Sequence, residues 1–488
     1  MTALHQPPRQ EPDGRDTAPT GAPARRPTLT RVPFPVVDEI SRHCLQDDEP
    51  ETVHIEVHLP GRTNHDRLRT AFHQALLRHP RILMRQAPAH WWRRRYEWQL
   101  TAAPDADPVV FPPPGPDALV RARERALTDC PPLDASPPVR LEVIEHGPDA
   151  ASGTVLLLTL NHTALDGPAC LRVLATAAEL YGGADNSPAP PPVRAIGPRT
   201  HQSGRPAAAA RPDSNAPATG HRLTRPARIA PDNATPTPAD GPAHGIPLRT
   251  NGMLITELPV PARPARIDGQ APYTVNDQLL VATSLTVARW NRLHGRPTTP
   301  VVITMPVDDR PRGSEMPIGN GTRLVTVGFG PEERRDAELL AADPPDPGAV
   351  ALLLRRTADR TRALKSTHGH QLGLTGRLLT APLLPVGVRG AVTRALRTAA
   401  APWTSTTLLS NIGRIPYPLD FGDAGRPTAV WFSAPARMPR GLTVTTVSVG
   451  GRIQLALRWS HALLDDAAGT RLGALFAGSL AASEGDVR

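Results

Sequence analysis

Residues 154–181 read TVLLLTLNHTALDGPACLRVLATAAELY, an apolar run, a polar turn and a second apolar run. The first run is short, rich in β-forming residues and preceded by Gly153, which predicts a buried strand. Gly167 and Pro168 then fit the start of a helix, with proline in its first turn. Apolar residues cover nearly every face of that helix, so we expect it to be buried. His162 and Asp166 lie in the turn, where two rigid elements can aim a side chain into a cleft.

The same pattern returns near the carboxyl end of the chain. There a predicted strand ending at Trp459 runs into SHALLDD, residues 460–466, and then into the apolar helix AAGTRLGALFAGSL. Both copies therefore read as strand, x-H-x-x-x-D-x turn and helix. An internal repeat of this kind predicts two halves of one fold related by pseudo-twofold symmetry.

Length and composition narrow the classes of protein. The 488 residues suffice for two domains of ordinary size. The formal charge of +9 is carried almost wholly by arginine, since Lys365 is the only lysine, and much of it falls in segments with no apolar period. We therefore expect no nucleic-acid partner. The three cysteines form no C-x-x-C pair, and no apolar run approaches the ~18 residues of a membrane span, so we expect reduced thiols, no membrane partner and a cytoplasmic location.

Composition also divides the chain into four parts. Residues 1–32 are rich in proline and arginine without periodicity and predict a disordered tail. An amino-terminal subdomain with the histidine turn is expected over residues 33–182, and a carboxy-terminal subdomain over residues 249–485. Residues 183–248 between them predict a disordered, proline- and arginine-rich linker or insertion.

Three segments resemble motifs of one protein family. Residues 161–167, NHTALDG, resemble the HHxxxDG motif of the condensation-domain superfamily, with Asn161 at the first histidine position. Residues 301–310, VVITMPVDDR, resemble that family's strand ending in arginine. Residues 406–425, TTLLSNIGRIPYPLDFGDAG, resemble its Ser-Asn-x-Gly strand and DFGWG-type segment, with Asp423 in place of the tryptophan. The superfamily includes peptide-synthetase condensation domains, polyketide-associated acyltransferases, alcohol acetyltransferases and, more distantly, chloramphenicol acetyltransferase.

The resemblance implies a fold and a first set of site residues. The fold is α/β of the two-layer α+β sandwich type, with two similar chloramphenicol-acetyltransferase-like subdomains and a cleft between them. His162 would be the catalytic base, and Asp166 would form a structural salt bridge with Arg310 of the other half. Only the first copy of the repeat is normally catalytic in the family, so His461 is expected to be a remnant.

Further roles follow from the same resemblance. Asn161 keeps hydrogen-bonding capacity but cannot act as a base, which excludes a mechanism with two histidines. Gly167 fits a position where a side chain would obstruct the turn or a tunnel. Ser410 or Asn411 would face the oxyanion from the opposite subdomain.

Acyl transfer from a thioester needs little more than these groups. A base deprotonates the incoming hydroxyl or ammonium, and polar groups hold the developing oxyanion. An imidazole with an unperturbed pKa of ~6.5 can take that proton near neutrality and return it to the departing thiolate. We therefore predict an acyltransferase, from a specialised-metabolite pathway, that joins an acyl thioester on coenzyme A or a carrier protein to an amine or alcohol. The phosphopantetheine thioester would be a substrate, with no cofactor bound permanently.

The alternative is a non-catalytic relative that docks a carrier protein or another assembly-line partner, which Asn161 and Asp423 favour. Cyclisation or another condensation on the same scaffold also remains open. Motifs of serine hydrolases, Walker-type nucleotide sites, dinucleotide folds and zinc proteases are not found in the sequence.

Other histidines and one aromatic cluster have simpler interpretations. His54 and His58 lie on one face of a predicted strand and are read as ordinary exposed strand histidines rather than a metal site, and no metal is expected. His368 and His370 are read as solvated. Residues 91–96, WWRRRY, could hold a phosphate of coenzyme A or of a carrier arm, but an amphipathic strand with a charged outer face is the favoured reading.

Overall fold

The computed structural model describes residues 30–46, 49–145, 153–189, 225–233, 250–262, 271–296, 300–308, 310, 316–330, 336–366 and 372–484. Of the segments expected to be disordered, residues 1–29, 190–224 and 234–248 lie outside these ranges, as do His368 and His370. Within the described ranges, no helix combines the length and the apolar character that a bilayer crossing requires.

The chain forms fourteen strands and ten helices within the described residues. The strands are β1 Arg31–Pro33, β2 Thr52–Leu59, β3 Met84–Gln86, β4 Glu97–Leu100, β5 Val109–Val110, β6 Val139–Glu145, β7 Thr154–Asn161, β8 Asn251–Pro259, β9 Val301–Asp308, β10 Thr322–Phe329, β11 Thr407–Arg414, β12 Ala429–Ser433, β13 Leu442–Val449 and β14 Arg452–Ser460. The helices are α1 Val36–His43, α2 His65–Arg78, α3 Ala118–Thr128, α4 Gly167–Gly182, α5 Val275–Leu293, α6 Ala337–Ala341, α7 Pro347–Ser366, α8 Gly373–Leu379, α9 Val386–Ala400 and α10 Asp466–Ala482.

The amino-terminal half is built on a five-stranded sheet in the order β12-β2-β7-β6-β5. Helices α2 and α4 cover one face of it, and α3 covers the other. Leu156, Leu158 and Leu160 point into the first core, while Val155 and Leu157 point toward α3. Burial on both faces explains why the β7 sequence is continuously apolar rather than alternating.

The carboxy-terminal half is built on a six-stranded sheet in the order β10-β9-β11-β13-β14-β8. Helices α5, α7 and α10 pack against it around a second core that contains Trp290, Trp459 and Phe476. Helix α5 begins with a capping box formed by Thr274 and Asp277, which satisfies its first backbone donors. The two predicted subdomains are therefore present, each with its own sheet and core.

The two copies of the internal repeat have corresponding strand pairings. Strand β2 pairs antiparallel with β7, placing Thr52 opposite Asn161, and β8 pairs antiparallel with β14, placing Asn251 opposite Ser460. Each pair then leads through a turn into a helix, α4 or α10. The two halves thus share one strand–turn–helix plan.

Strand β12 departs from the sequence prediction. Residues 430–432 fall within the range 249–485 predicted for the carboxy-terminal subdomain. Strand β12 instead pairs antiparallel with β2 of the other sheet, from Ala429 opposite His58 to Ser433 opposite His54. The segment before β12 also packs on the amino-terminal half, because Tyr417, Leu419 and Phe421 are buried in the first core. A short apolar strand does not encode which sheet it joins, so this crossing could not be read from periodicity.

Three smaller differences concern the ends of predicted segments. Arg31 and Val32, assigned to the disordered tail, form β1 together with Pro33, and β1 pairs with β4. Within the expected linker, residues 225–233 pack on the second half, where Ala227, Ile229 and Ala230 are buried. This apolar run is too short to give a periodic signal in the sequence. Residues 91–96 form turns and exposed loop rather than a strand, and β4 begins only at Glu97.

Candidate active site

The turn between β7 and α4 holds His162 in a defined orientation. The His162 amide donates to the Glu51 carbonyl at 2.8 Å, and the Ala164 and Leu165 amides donate back to the Asn161 carbonyl at 3.1 and 3.2 Å. The Nδ1 atom of His162 lies 2.9 Å from the Leu165 carbonyl oxygen. Because a carbonyl can only accept, Nδ1 donates this hydrogen bond, and in the neutral ring the lone pair then lies on Nε2. The half-buried imidazole is thereby set in the tautomer of a proton acceptor.

Asn161 supports the turn from within. Its buried amide donates to the Pro131 carbonyl at 2.9 Å and accepts from the Thr163 amide at 3.0 Å. The residue that departs from the HHxxxDG pattern thus satisfies two backbone groups of the site.

Asp166 is fully engaged with backbone and arginine donors. Its side chain caps α4 by accepting from the Ala169 amide at 3.0 Å, and it accepts from the Gly321 amide at 2.9 Å. Arg310 Nη2 lies 3.0 and 2.9 Å from its two oxygens, so the structure brings together the pair that the sequence analysis named. The carboxylate is therefore held by the other half of the protein rather than by His162.

Arg310 anchors this contact from the end of β9. Its guanidinium also lies 2.9 and 3.1 Å from the oxygens of Asp308 and donates to the Gly319 carbonyl at 3.1 Å. Burial alone would lower the pKa of Arg310, but the nearby carboxylates Asp308 and Asp166 outweigh it and raise that pKa. The result is a buried, permanently charged bridge between the halves.

At two glycines in this region, neighbouring side chains approach the backbone closely. A Cβ on Gly321 would lie 2.3 Å from the Arg310 side chain, so only glycine lets the guanidinium pass. A Cβ on Gly167 would lie 3.2 Å from the ring of Phe432 on β12. The space at Gly167 is thus limited by the strand that crosses from the other half.

Asn320 is a site residue that the sequence analysis missed. Its Nδ2 lies 3.2 Å from the His162 carbonyl, 3.0 Å from the Thr163 carbonyl and 3.0 Å from Asp38 Oδ1. The side chain therefore ties the backbone of the histidine turn to α1. The sequence signal was the pattern Gly319-Asn320-Gly321 between two strands, where glycines allow a close backbone approach.

Asp38 is the buried carboxyl behind this contact. It accepts from Trp98 Nε1 at 2.8 Å and from Asn320. Burial raises the pKa of Asp38 to about 6, although the hydrogen bonds from Asn320 and Trp98 act in the opposite direction. The Asp38 carboxyl is thus connected to the histidine turn through the side chain of Asn320.

The two residues named for the oxyanion lie on β11 in the other half. Asn411 donates to Asn276 at 3.2 Å and accepts from the Gly413 amide at 2.9 Å and from Thr446 at 3.2 Å. These bonds stabilise the irregularity in register between Asn411 and Gly413. Ser410 is half-buried and opposes a threonine of β13. Contact with an oxyanion remains a prediction for both.

The remaining histidines do not form a metal centre in the described part of the chain. No group of three or more His, Cys, Asp or Glu side chains is close enough there to hold a metal ion. His54 is fully buried in β2 rather than exposed as expected, and burial lowers its pKa to about 4. His58 lies 2.6 Å from Glu56, which also binds Arg123. The sheet is covered by α3 on this side, which periodicity did not reveal.

Two known proteins are similar to this chain over most of its length. A scan of protein-family models finds no match. Two uncharacterised proteins of Mycobacterium tuberculosis are each 27% identical over 441 residues, which cover 88% of this chain and 94% of theirs.

Solved structures give the clearer likeness. A trichothecene 15-O-acetyltransferase from Fusarium sporotrichioides superposes with a TM-score of 0.59 at 11% identity, covering 93% of this chain and 95% of its own. The first condensation domain of the CDA synthetase gives 0.55 at 14% identity, covering 94% and 97%. A mutant starter condensation domain of rhizomide synthetase, in complex with C8-CoA, gives 0.57 at 12% identity, covering 94% and 96%. The chain therefore has the two-subdomain, chloramphenicol-acetyltransferase-like fold of the condensation domains and of this acetyltransferase.

Proposed function

We propose that this protein is an acyltransferase that joins the acyl group of a coenzyme A or carrier-protein thioester to an amine or alcohol. His162 is its general base. The observation that carries the proposal is the bond between His162 Nδ1 and the Leu165 carbonyl, which leaves Nε2 able to accept a proton. The fold supports the thioester donor, because one solved protein with this fold is described in complex with C8-CoA.

The proposed transfer proceeds through one tetrahedral intermediate. Nε2 of His162 takes the proton from the acceptor hydroxyl or neutral amine as its oxygen or nitrogen attacks the thioester carbonyl. An acceptor that arrives as an ammonium first releases one proton to solvent. The tetrahedral oxyanion then collapses, the carbon–sulfur bond breaks, and the departing thiolate takes the proton from the imidazolium. The products are an ester or amide and a free thiol, and the base is regenerated.

Asp166 has no chemical step in this scheme. Its oxygens accept from Arg310, Gly321 and Ala169, so its part is to keep the turn closed against the other half. Asn161 likewise holds the backbone of the turn, so a single histidine performs both proton transfers. A place in specialised-metabolite biosynthesis is part of the same proposal.

Thiol release tests the proposal directly. Wild type and His162→Ala are incubated with a panel of acyl-CoAs and acyl-carrier proteins, with and without mixed amines and alcohols. We expect acceptor-dependent release that falls about 10²- to 10⁴-fold in the variant, the usual contribution of a positioned general base.

His461→Ala is the matched control, because it removes the equivalent imidazole of the second copy and should leave release unchanged. Equal release from wild type and His162→Ala would remove His162 as the base. Binding of a carrier protein by both, without release under any condition, would favour the docking protein instead.

A further inference from the structure

Helix α9 presents its apolar side outward. Val388, Val392 and Leu396, spaced at four-residue intervals on one stripe, are 40%, 43% and 48% exposed. Its inward side carries Arg389, which donates to the Ala381 carbonyl at 2.8 Å and forms an ion pair with Glu39. A helix on the surface of a water-soluble domain normally has the opposite arrangement.

Two exposed tryptophans extend the stripe beyond the start of α9. Trp91 and Trp92 are 66% and 56% exposed. Their turn is fixed to the helix, because the Gly387 amide donates to the Trp91 carbonyl at 2.9 Å and the Val386 amide to the Arg93 carbonyl at 2.7 Å. Trp92 stacks on His90 with ring centroids 4.4 Å apart, so the indole rings are held in place at the surface.

Positive charge surrounds these apolar side chains. Arg93, Arg94 and Arg95 are exposed beside the tryptophans, and Arg394 is exposed on α9. The sequence contains no aspartate or glutamate from residue 360 to 419, nor from residue 67 to 96. Neither of the two chain segments that build this face contributes a carboxylate to it.

Leu384, which is 50% exposed just before α9, adds to the same apolar side chains. We propose that this face, formed by Trp91, Trp92, Leu384, Val388, Val392 and Leu396, binds the surface of an anionic lipid bilayer. The helix lies in the plane of the interface with its aliphatic stripe below the headgroups, as amphipathic surface helices do. Indole rings favour the headgroup level, and the arginines bind lipid phosphates.

The shape of the face favours lipid over an acidic protein. Its apolar side chains project from the convex side of a helix and a turn, whereas a protein interface usually seats anchoring side chains in pockets. Binding of this kind needs no membrane-spanning helix. The expectation of no membrane partner rested on the lack of an apolar run long enough to span and does not bear on an interfacial helix.

Vesicle flotation tests the proposal with the full-length protein. Vesicles of phosphatidylcholine alone are compared with an equimolar mixture of phosphatidylcholine and phosphatidylglycerol. We expect flotation only with the anionic vesicles, weakened by added salt because the arginines contribute by screened electrostatics.

Variants separate the contribution of the arginines to vesicle binding from that of the apolar side chains. Arg94→Gln should weaken binding about fivefold, and Arg94→Gln with Arg95→Gln about 25-fold, from the energy typical of one basic residue at an anionic surface. Val392→Ser with Leu396→Ser should abolish flotation. The control, Leu77→Ser with Val120→Ser, removes two side chains that are 55% and 49% exposed in the amino-terminal half and should bind as wild type does.

Three results would overturn the proposal. The first is no flotation with anionic vesicles, and the second is equal flotation of the α9 variant and its control. The third is a dimer in solution that Val392→Ser with Leu396→Ser converts to monomer, which would assign the face to a second copy of the chain.

Discussion

The two strand–turn–helix copies have nearly the same backbone, but different parts of the protein hold them. In the first copy the His162 amide donates to the Glu51 carbonyl at 2.8 Å, and in the second the His461 amide donates to the Thr250 carbonyl at 2.9 Å. Asp465 caps α10 by accepting from the Ala468 amide at 2.7 Å, as Asp166 caps α4. The common plan therefore specifies the turn but not its surroundings.

An asparagine side chain binds the backbone of each turn, and the two turns differ in which half of the protein supplies it. Asn320, from the opposite half, reaches the His162 and Thr163 carbonyls at 3.2 and 3.0 Å. Asn233, from the segment that lies on the same half, reaches the His461 and Ala462 carbonyls at 3.4 and 3.3 Å. The first turn is thus completed by the meeting of two halves, where a cleft can exist, and the second by its own half.

The histidine side chains differ correspondingly. His162 has its Nδ1 on the Leu165 carbonyl, which directs the ring through a backbone contact. His461 has its Nε2 3.0 Å from Asp466, the residue at the position of Gly167, and that carboxylate is mostly exposed. Aspartate in place of glycine gives the second imidazole a mostly exposed partner at Nε2, whereas the first imidazole makes its backbone contact through Nδ1.

The largest expected difference between the copies is in their aspartates. Asp166→Ala removes one of the two carboxylate partners of buried Arg310 as well as a cap. It should lower the free energy of unfolding by about 3–4 kcal/mol, the lower part of the range for a broken buried pair, because Asp308 still binds the guanidinium. Asp465→Ala removes mainly a cap, for about 1 kcal/mol. Urea denaturation of both variants measures the difference. Equal losses would mean that the bridge to Arg310 contributes nothing beyond capping.

The sequence predicted the local structure of both turns but did not predict which distant residues contact them. The apolar β7 run, the helix start at Gly167–Pro168 and the H-x-x-x-D spacing are local patterns, and they predicted both turns. The contact of Asn320 with His162 spans 158 residues and leaves no periodic trace. Arg310 was named only through the resemblance to a family. Contacts between halves depend on packing that one sequence does not display, and β12 was misplaced for the same reason.

Asp38 adds a pH dependence that should be specific to the first copy. Its folded-state pKa of about 6 exceeds the ordinary value of 3.8, so between these values the folded protein holds a proton that the unfolded chain has released. The stability contributed by this group is complete below the ordinary pKa and is lost as pH rises through about 6. Over that window the loss is at most about 3 kcal/mol.

Denaturation of wild type and Asp38→Asn at about pH 4.5 and about pH 7, on either side of the folded-state pKa of about 6, measures this dependence. The variant should show a smaller fall in stability between the two conditions. Asp134→Asn, at an exposed carboxylate, is the control and should follow wild type. A pH dependence identical in all three proteins would show that Asp38 does not titrate in this range.

The two asparagines provide a finer test. Asn320→Ala leaves the His162 and Thr163 carbonyls without a donor in a half-buried site, and should cost about 1–2 kcal/mol of stability. Asn233→Ala breaks longer, exposed contacts and should cost less than about 0.5 kcal/mol. If Asn320 positions the base, its variant should also lower kcat with little change in KM. Equal turnover in both variants would leave Asn320 a purely structural residue.

The smallest expected effect comes from making the second turn resemble the first. Asp466→Gly gives the second copy the H-x-x-x-D-G spacing and removes the exposed pair with His461, at a cost of about 0.5 kcal/mol or less from that pair. We expect thiol release to stay at background when this change is combined with His162→Ala, because Asn233 still closes the second turn from its own half. Release restored in the double variant would show that sequence at one position, rather than the meeting of two halves, decides which copy is active.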